Sequence, residues 1–193
     1  MREPLIKEFV FDRPIVGQRV TLRPITADDF EDIHAYMGRD DVASYLLEDA
    51  YSIDESRSSQ THYTTLVRFA GDGDLILLAM EHQGTVIGHL DFTAASMLDG
   101  SVEIGWRMHP DHHGKGLAAE AASLLLDLAF ATIGARRAVA HLDPRNTSSA
   151  KLCERLGMRR EAHHVLDMWF KGGWADTYTY AILAAEWAAR RTG

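Results

Sequence analysis

HPDHHGKGLAAEAASLLLDLAF, residues 109–130, decides how the chain is read. A His109-Pro110 turn leads into two glycines flanking Lys115, and a long apolar helix follows with Leu117, Ala121, Leu124, Leu125 and Leu128 on one stripe. The segment before it, 101–108, alternates as a strand, with Val102, Ile104, Trp106 and Met108 on one face. A loop with almost no side-chain bulk therefore lies between a strand and a helix N-terminus. The first turn of a helix has backbone N–H groups without partners and carries partial positive charge, and glycine lets a ligand come close to the main chain. Residues His113-Gly114-Lys115-Gly116-Leu117-Ala118 are thus expected to hold an anion. A glycine turn with no ligand has the same local pattern, so the surroundings must decide.

Two phosphate motifs fit poorly. The P-loop needs four residues between two glycines and a Ser or Thr after the lysine, whereas Lys115 is followed by Gly116 and His109 stands where the first glycine belongs. The dinucleotide pattern matches Gly114, Gly116 and Ala119, with Asp143 near the end of the next strand. Its first strand, however, is buried on both faces, and here Glu103 and Arg107 interrupt that strand. Too few strand–helix units follow to build a doubly wound sheet.

Working outward, 19–24 reads as a strand, 26–37 as a capped helix, and 54–70 as a more polar helix. Residues 75–81 and 85–94 are strands joined by His82-Gln83-Gly84. The helix over 117–133 ends at Gly134, 136–142 is a strand, and 146–156 is a helix closed by Gly157. Strands over 159–170 and 175–183 meet at Lys171-Gly172-Gly173, and a short strand falls at 9–11. The fold class is α/β, in the α+β sense of a mixed sheet, antiparallel in its hairpins and parallel at the helical crossover. A lead-in over 1–18, one domain over 19–187 and a tail over 188–193 are expected from the 193 residues.

Composition is that of an ordinary globular protein, 46% hydrophobic and 25% charged, with a net charge of −8. That sign argues against nucleic acid and suits a cationic partner. No apolar run is long enough for a bilayer and no leader is evident, so neither membrane nor export is expected. The single cysteine, Cys153, forms no internal disulfide, and a cytoplasmic setting follows as the expectation. Ten histidines include the adjacent pairs His112-His113 and His163-His164, but no spacing suits a metal site, and none is expected.

The loop resembles the acyl-CoA pyrophosphate loop of the GCN5-related N-acetyltransferases, the GNAT family, whose pattern is Q/R-x-x-G-x-G/A. The matching residues are His113, Gly116 and Ala118, with His113 in place of Gln or Arg. RVTLRPITADDFEDI, GTVIGHLDF, SVEIGWRMHPDHHGKGLAAEA and DPRNTSSAKLCERLGM resemble further ordered blocks of the family. GGWADTYTYAILAAEW resembles the last strand of the Rim-type branch of ribosomal-protein N-terminal acetyltransferases. The likeness covers most of residues 19–187. It implies a seven-stranded mixed, twisted sheet, splayed between the fourth and fifth strands and flanked by about four helices, with a bulge in the central strand near Gly105.

The resemblance also implies roles. Acetyl-CoA is the cosubstrate, its diphosphate on His113, Gly114, Lys115, Gly116, Leu117 and Ala118. Its pantetheine amides pair with the backbone of Trp106, Arg107 and Met108, beside Asn146, which also suits a helix N-cap. A backbone N–H near Met108 holds the oxyanion. The general-acid tyrosine of many members falls on Cys153, so Ser149 takes that role, and an acyl-cysteine at Cys153 has no sequence-near base. Glu103 is the expected base, with Asp91 and His89 as neighbours that share the position's chemistry, while Asp176 serves the final hairpin. The expected function is N-acetyl transfer to a primary amine, either a protein N-terminus or a small molecule, by direct attack in a ternary complex. A noncatalytic acyl-CoA sensor and a dinucleotide-dependent oxidoreductase are the competing readings. Homodimers are common in the Rim-type branch, so a homodimer is compatible with the likeness.

Overall fold

The computed structural model describes residues 2–192; Met1 and Gly193, the ends of the expected lead-in and tail, lie outside them. Ten strands run in chain order: β1 (Phe9–Val10), β2 (Ile15–Val16), β3 (Thr21–Pro24), β4 (Arg68–Phe69), β5 (Leu75–His82), β6 (Thr85–Ser96), β7 (Ser101–Met108), β8 (Arg137–Leu142), β9 (Arg159–Phe170) and β10 (Gly173–Leu183). Six α-helices interleave: α1 (Phe30–Met37), α2 (Asp40–Ala43), α3 (Ile53–Tyr63), α4 (Leu117–Asp127), α5 (Thr147–Leu156) and α6 (Ala184–Thr192). The main sheet has eight strands in the order β2-β3-β5-β6-β7-β8-β10-β9, and β1 pairs with β4 apart from it. Every pairing is antiparallel except β7 with β8.

This is the mixed sheet expected from the pattern of hairpins and crossovers, with one strand more than seven. The addition is β2, which folds back on β3 through Gly17, whose N–H donates to Val20 O at 2.9 Å. The lead-in is packed rather than loose: Ile6 and Phe11 are buried in the core. Two further expectations change. The polar helix read over 54–70 stops at Tyr63, because Phe69 leaves it to pack its ring, tilted by 50°, against Phe92 at 4.9 Å between centroids, which puts Arg68–Phe69 in a strand. The stretch read as a tail is helical through Thr192, with Trp187 anchored to Asp127 at 2.8 Å.

The sheet is covered on both faces. Ile76, Leu78, Met80, Leu90, Val102 and Ile104 pack against Leu117, Ala121, Leu125 and Leu126 of α4. Leu77, Ala79 and Val86 face Ile33, Tyr36 and Met37 of α1. Strand β5 is thus buried on both sides, which is why it reads as a continuous apolar run. After Asp127 the helix widens into a π-helical segment over Leu128–Thr132 before Gly134 ends it.

Strands β6 and β7 come unusually close at Gly88, opposite Met108; a Cβ there would lie 2.2 Å from Arg107 O. Gly88→Ala must push the two strands apart. A loss of about 2–3 kcal/mol is expected, which lowers Tm by about 5–10 °C in thermal denaturation. An unchanged Tm would contradict this approach of the strands.

Candidate functional site

Strands β7 and β8 pair over only three positions, Ser101↔Arg137, Val102↔Ala138 and Glu103↔Val139. Beyond them β7 stays with β6 as far as Gly88↔Met108, and β8 stays with β10 as far as Tyr178↔Leu142. The two diverge, and the edge of β7 from Ile104 to Met108 faces the gap instead of a neighbouring strand. Backbone groups along such an edge can pair with an extended ligand that carries amides. The bulge expected at Gly105 is absent: Asp91↔Gly105 is in regular register, and the irregularity lies between Ala94 and Ser96. Gly105 instead makes room for a carboxylate, since a Cβ there would sit 3.1 Å from Asp91 Oδ2.

The glycine loop closes one end of the gap. Gly114 and Gly116 are left-handed, at φ +73° and +77°, a region that L side chains enter at a cost. A Cβ at Gly114 would meet nothing within 4 Å. Helix α4 begins at Leu117 with Gly116 as its N-cap, so the amides of its first turn lack intrahelical partners. A brace that sequence reasoning missed holds the loop. Arg19 donates from Nη1 to Lys115 O at 2.9 Å and from Nε to Glu120 Oε2 at 2.9 Å. Burial alone would raise the Glu120 carboxyl, but the amides of Arg19 and Val20 and the Arg19 guanidinium hold it low. His113 turns its ring back, with Nε2 at 3.2 Å from Met108 O.

Two clefts meet at the gap. The first, about 490 Å³, runs from Gly114, Gly116 and Ala118 to the start of α5. The second, about 330 Å³, is walled by Glu48, Asp91, Glu103, Asp143 and Phe170. Tyr45, Leu46, Trp106, Arg107, Asn146 and Ser149 belong to both. Asn146 caps α5, its Oδ1 accepting from Ser149 N at 3.0 Å. Trp106 contributes more than backbone: its Nε1–H donates to Ser149 Oγ at 3.0 Å. That leaves the Ser149 hydroxyl proton available to another acceptor. Of the expected site residues, Trp106, Arg107, Asn146 and Ser149 therefore line both clefts, Met108, His113, Gly114, Gly116, Leu117 and Ala118 line the first, Glu103 lines the second, and Lys115 lines neither.

The second cleft has a buried polar wall. Arg107 Nη1 donates to Asp91 Oδ2 at 2.6 Å and lies 3.3 Å from His89 Nε2, while Nη2 reaches Glu48 at 3.5 Å. Burial disfavours the Arg107 charge, but Asp91 and Glu48 outweigh it. Burial raises the Asp91 carboxyl against the pull of Arg107. Burial and Arg107 together push His89 far down, so it stays neutral with Nδ1 2.6 Å from Tyr36 OH. A neutral His89 whose ring nitrogens are both engaged is no base. Asp176 lies outside the clefts and braces the β9–β10 hairpin, meeting His163 Nε2 at 2.6 Å and Leu166 N at 2.9 Å. Among the described residues no group of His, Cys, Asp and Glu is arranged to hold a metal ion. Among them, too, no helix is long and apolar enough to cross a membrane.

Comparison with known proteins shows the family and the fold. A family model described as an acetyltransferase (GNAT) domain matches residues 19–159. The uncharacterized N-acetyltransferase YnaD of Bacillus subtilis is 26% identical over 174 residues, which is 90% of this chain and 98% of that protein. A spermidine N(1)-acetyltransferase of Vibrio cholerae is 23% identical over 179 residues, 91% of this chain and 99% of the relative. Among solved structures, a GNAT-family acetyltransferase from Bacillus anthracis superposes with a TM-score of 0.80 at 28% identity, covering 90% of this chain and all of that one. A Vibrio cholerae spermidine N-acetyltransferase in complex with CoA and spermine shares the fold, with a TM-score of 0.74 at 23% identity over 89% of this chain and 99% of that one.

Cys153 lies at the base of α5 with no exposed surface. Burial pushes its thiol up to about 12, so it stays protonated at neutral pH, and an acyl-cysteine route has no nucleophile. Thiolate forms only as pH approaches that value. At pH 8 the folded protein should react with a thiol reagent at least about a thousandfold more slowly than the denatured chain. Fast labelling of the native protein would contradict the burial.

Proposed function

The chain belongs to the GNAT acetyltransferase family, and from that premise we propose that it moves the acetyl group of acetyl-CoA onto the nitrogen of a small cationic amine. One observation carries the reading: two clefts of opposite character share Trp106, Arg107, Asn146 and Ser149 at the gap between β7 and β8, with Tyr45 and Leu46 over both. The first ends on free helix amides, which suit a diphosphate. The second is bordered by Glu48, Asp91, Glu103 and Asp143, with Arg107 as the one Lys or Arg among its described lining residues. That balance favours a positively charged acceptor. Spermidine acetyltransferases among the relatives point the same way. The likeness of 173–187 to the Rim-type branch supports a second acceptor, a protein N-terminal amine.

Acetyl-CoA supplies a thioester-activated acetyl group and a thiol that can leave. The amides of Gly114, Gly116, Leu117 and Ala118, with His113 and Lys115, hold its diphosphate, and the backbone of Trp106, Arg107 and Met108 aligns its pantetheine arm beside Asn146. Glu103, on the wall of the second cleft, takes a proton from the ammonium, so that the nitrogen lone pair can form the new C–N bond. A backbone N–H near Met108 stabilises the charge that develops on the acetyl oxygen. As the C–S bond breaks, Ser149 gives its proton to sulfur, its oxygen held by the Trp106 indole, and regains a proton from the nitrogen, which sheds its second one in becoming an amide. Most of the rate comes from bringing two substrates together in fixed orientation.

An acceptor screen that follows thiol release, with diamines, polyamines, single amines and peptides of varied N-terminus, tests the proposal. Turnover of the amines with two or more charges is expected, and preference for peptides would favour the second acceptor. Binding of acetyl-CoA with no turnover on any acceptor would favour a sensor. Gly116→Glu should weaken acetyl-CoA binding about a hundredfold or more by placing like charge and strain at the loop. Glu103→Gln and Ser149→Ala should each lower kcat about 10- to 100-fold, with acetyl-CoA affinity within about threefold. Unaltered rates in both would remove these two residues from the chemistry.

A further inference from the structure

The roof of the second cleft comes from two segments far apart in sequence. Tyr45, Leu46, Leu47 and Glu48, from the loop after α2, form one side, Leu47 and Glu48 lining this cleft alone and Tyr45 and Leu46 the first cleft as well, and Met168 and Phe170, near the tip of the β9–β10 hairpin, form the other. Few bonds of its own shape that loop: Leu46 N donates to Ala43 O at 2.9 Å and Ser44 Oγ to Asp40 O at 2.8 Å. Residues 44–50 belong to no helix or strand. The hairpin supplies what is missing. Lys171 stands at the tip, left-handed at φ +45°, in a turn position that favours Asn, Asp or Gly. Its ammonium has three donors, and three acceptors surround it: Ala43 O at 3.0 Å, Glu48 O at 3.1 Å and Asp49 Oδ1 at 2.9 Å. The bond to Ala43 adds a second donor to a carbonyl at the C-terminal end of α2 that already accepts from Leu46 N.

We infer that Lys171 is a positioning residue for the acceptor: from the hairpin tip it ties the 44–49 loop over the second cleft and sets the enclosure that receives the amine. The inference rests on reading the second cleft as the acceptor site. The Asp49 contact is exposed and contributes little, so the two backbone carbonyls carry the tie. Glu48 is fixed from both directions, its carbonyl by Lys171 and its carboxylate by Arg107 at 3.5 Å. Lys171 touches no reacting atom. Without it, the order of the loop must be supplied by the acceptor on binding, which weakens binding more than it slows the chemical step.

Lys171→Met keeps the aliphatic stem and removes the donors; Lys171→Arg keeps donors and charge. Hydrogen exchange at residues 44–50, acetyl-CoA affinity and steady-state kinetics with the best amine from the screen are compared in the full chain. K171M should exchange faster in that segment and raise acceptor KM about tenfold, with kcat and acetyl-CoA affinity within about threefold. K171R should restore KM to within about threefold of the unsubstituted enzyme. Should K171M fail to fold, Lys171→Gln, which keeps a neutral donor, is expected to give an intermediate rise in exchange and KM. Unchanged exchange at 44–50 in a folded variant overturns the tie, whether or not an acceptor is in hand. Unchanged acceptor KM, or an equal loss of acetyl-CoA affinity, overturns the positioning role. Faster exchange in an enzyme that turns over no amine overturns the acceptor role too, and locates the fault in the reading of the cleft rather than in the tie.

Discussion

The short parallel register between β7 and β8 governs the rest of the molecule. Three residue pairs hold the strands together at one end, and each then follows its antiparallel neighbour, β6 on one side and β10 on the other. A full ladder to Met108 would consume the backbone edge that faces the gap and close the space into which Trp106 and Ser149 project. The loss of a few sheet hydrogen bonds is tolerable because the sheet is covered on both faces and tied elsewhere: Tyr36, Phe92 and Leu90 are fully buried around it. What remains open is a slot whose ends differ in chemistry.

That difference is electrostatic. At one end the first turn of α4 presents unpaired amides, held in place by Arg19 and Glu120. At the other, carboxylates gather around one guanidinium, and burial with Arg107 keeps His89 neutral; in the core outside both clefts, burial keeps the Cys153 thiol protonated. The two groups that would support a covalent or histidine-based route are thereby silenced. Under the proposed function such a slot would hold an anionic carrier and a cationic acceptor in line, with Ser149 on the shared wall and Glu103 in the second cleft to manage protons. Fixed geometry, rather than an unusually reactive side chain, is the source of rate such a site can draw on.

The parts legible in the sequence are those set by local pattern. The alternation of 101–108, the glycine loop and the stripe on α4 fix the loop's place between strand and helix, and Asn146 reads correctly as the cap of α5. The tight turn at Gln83-Gly84, with both residues at positive φ, follows from its length and glycine. Missed features depend on contacts that cross the chain. Arg19 and Glu120 meet over 101 positions. Lys171 reaches Glu48 over 123. The run from Thr64 to Ala70 reads as a continuation of the helix, and the pull of Phe69 into the core ends the helix early. The bulge expected at Gly105 came from likeness, while the glycine there answers to the Asp91 carboxylate packed against it.

A crystal structure of the chain with coenzyme A tests the central claim most directly. The diphosphate is expected on the amides of Gly114 to Ala118, the pantetheine amides along the free edge of β7, and the sulfur at the shared wall within reach of Ser149 Oγ. Coenzyme A bound elsewhere, or β7 and β8 paired without a gap as far as Met108, would contradict it.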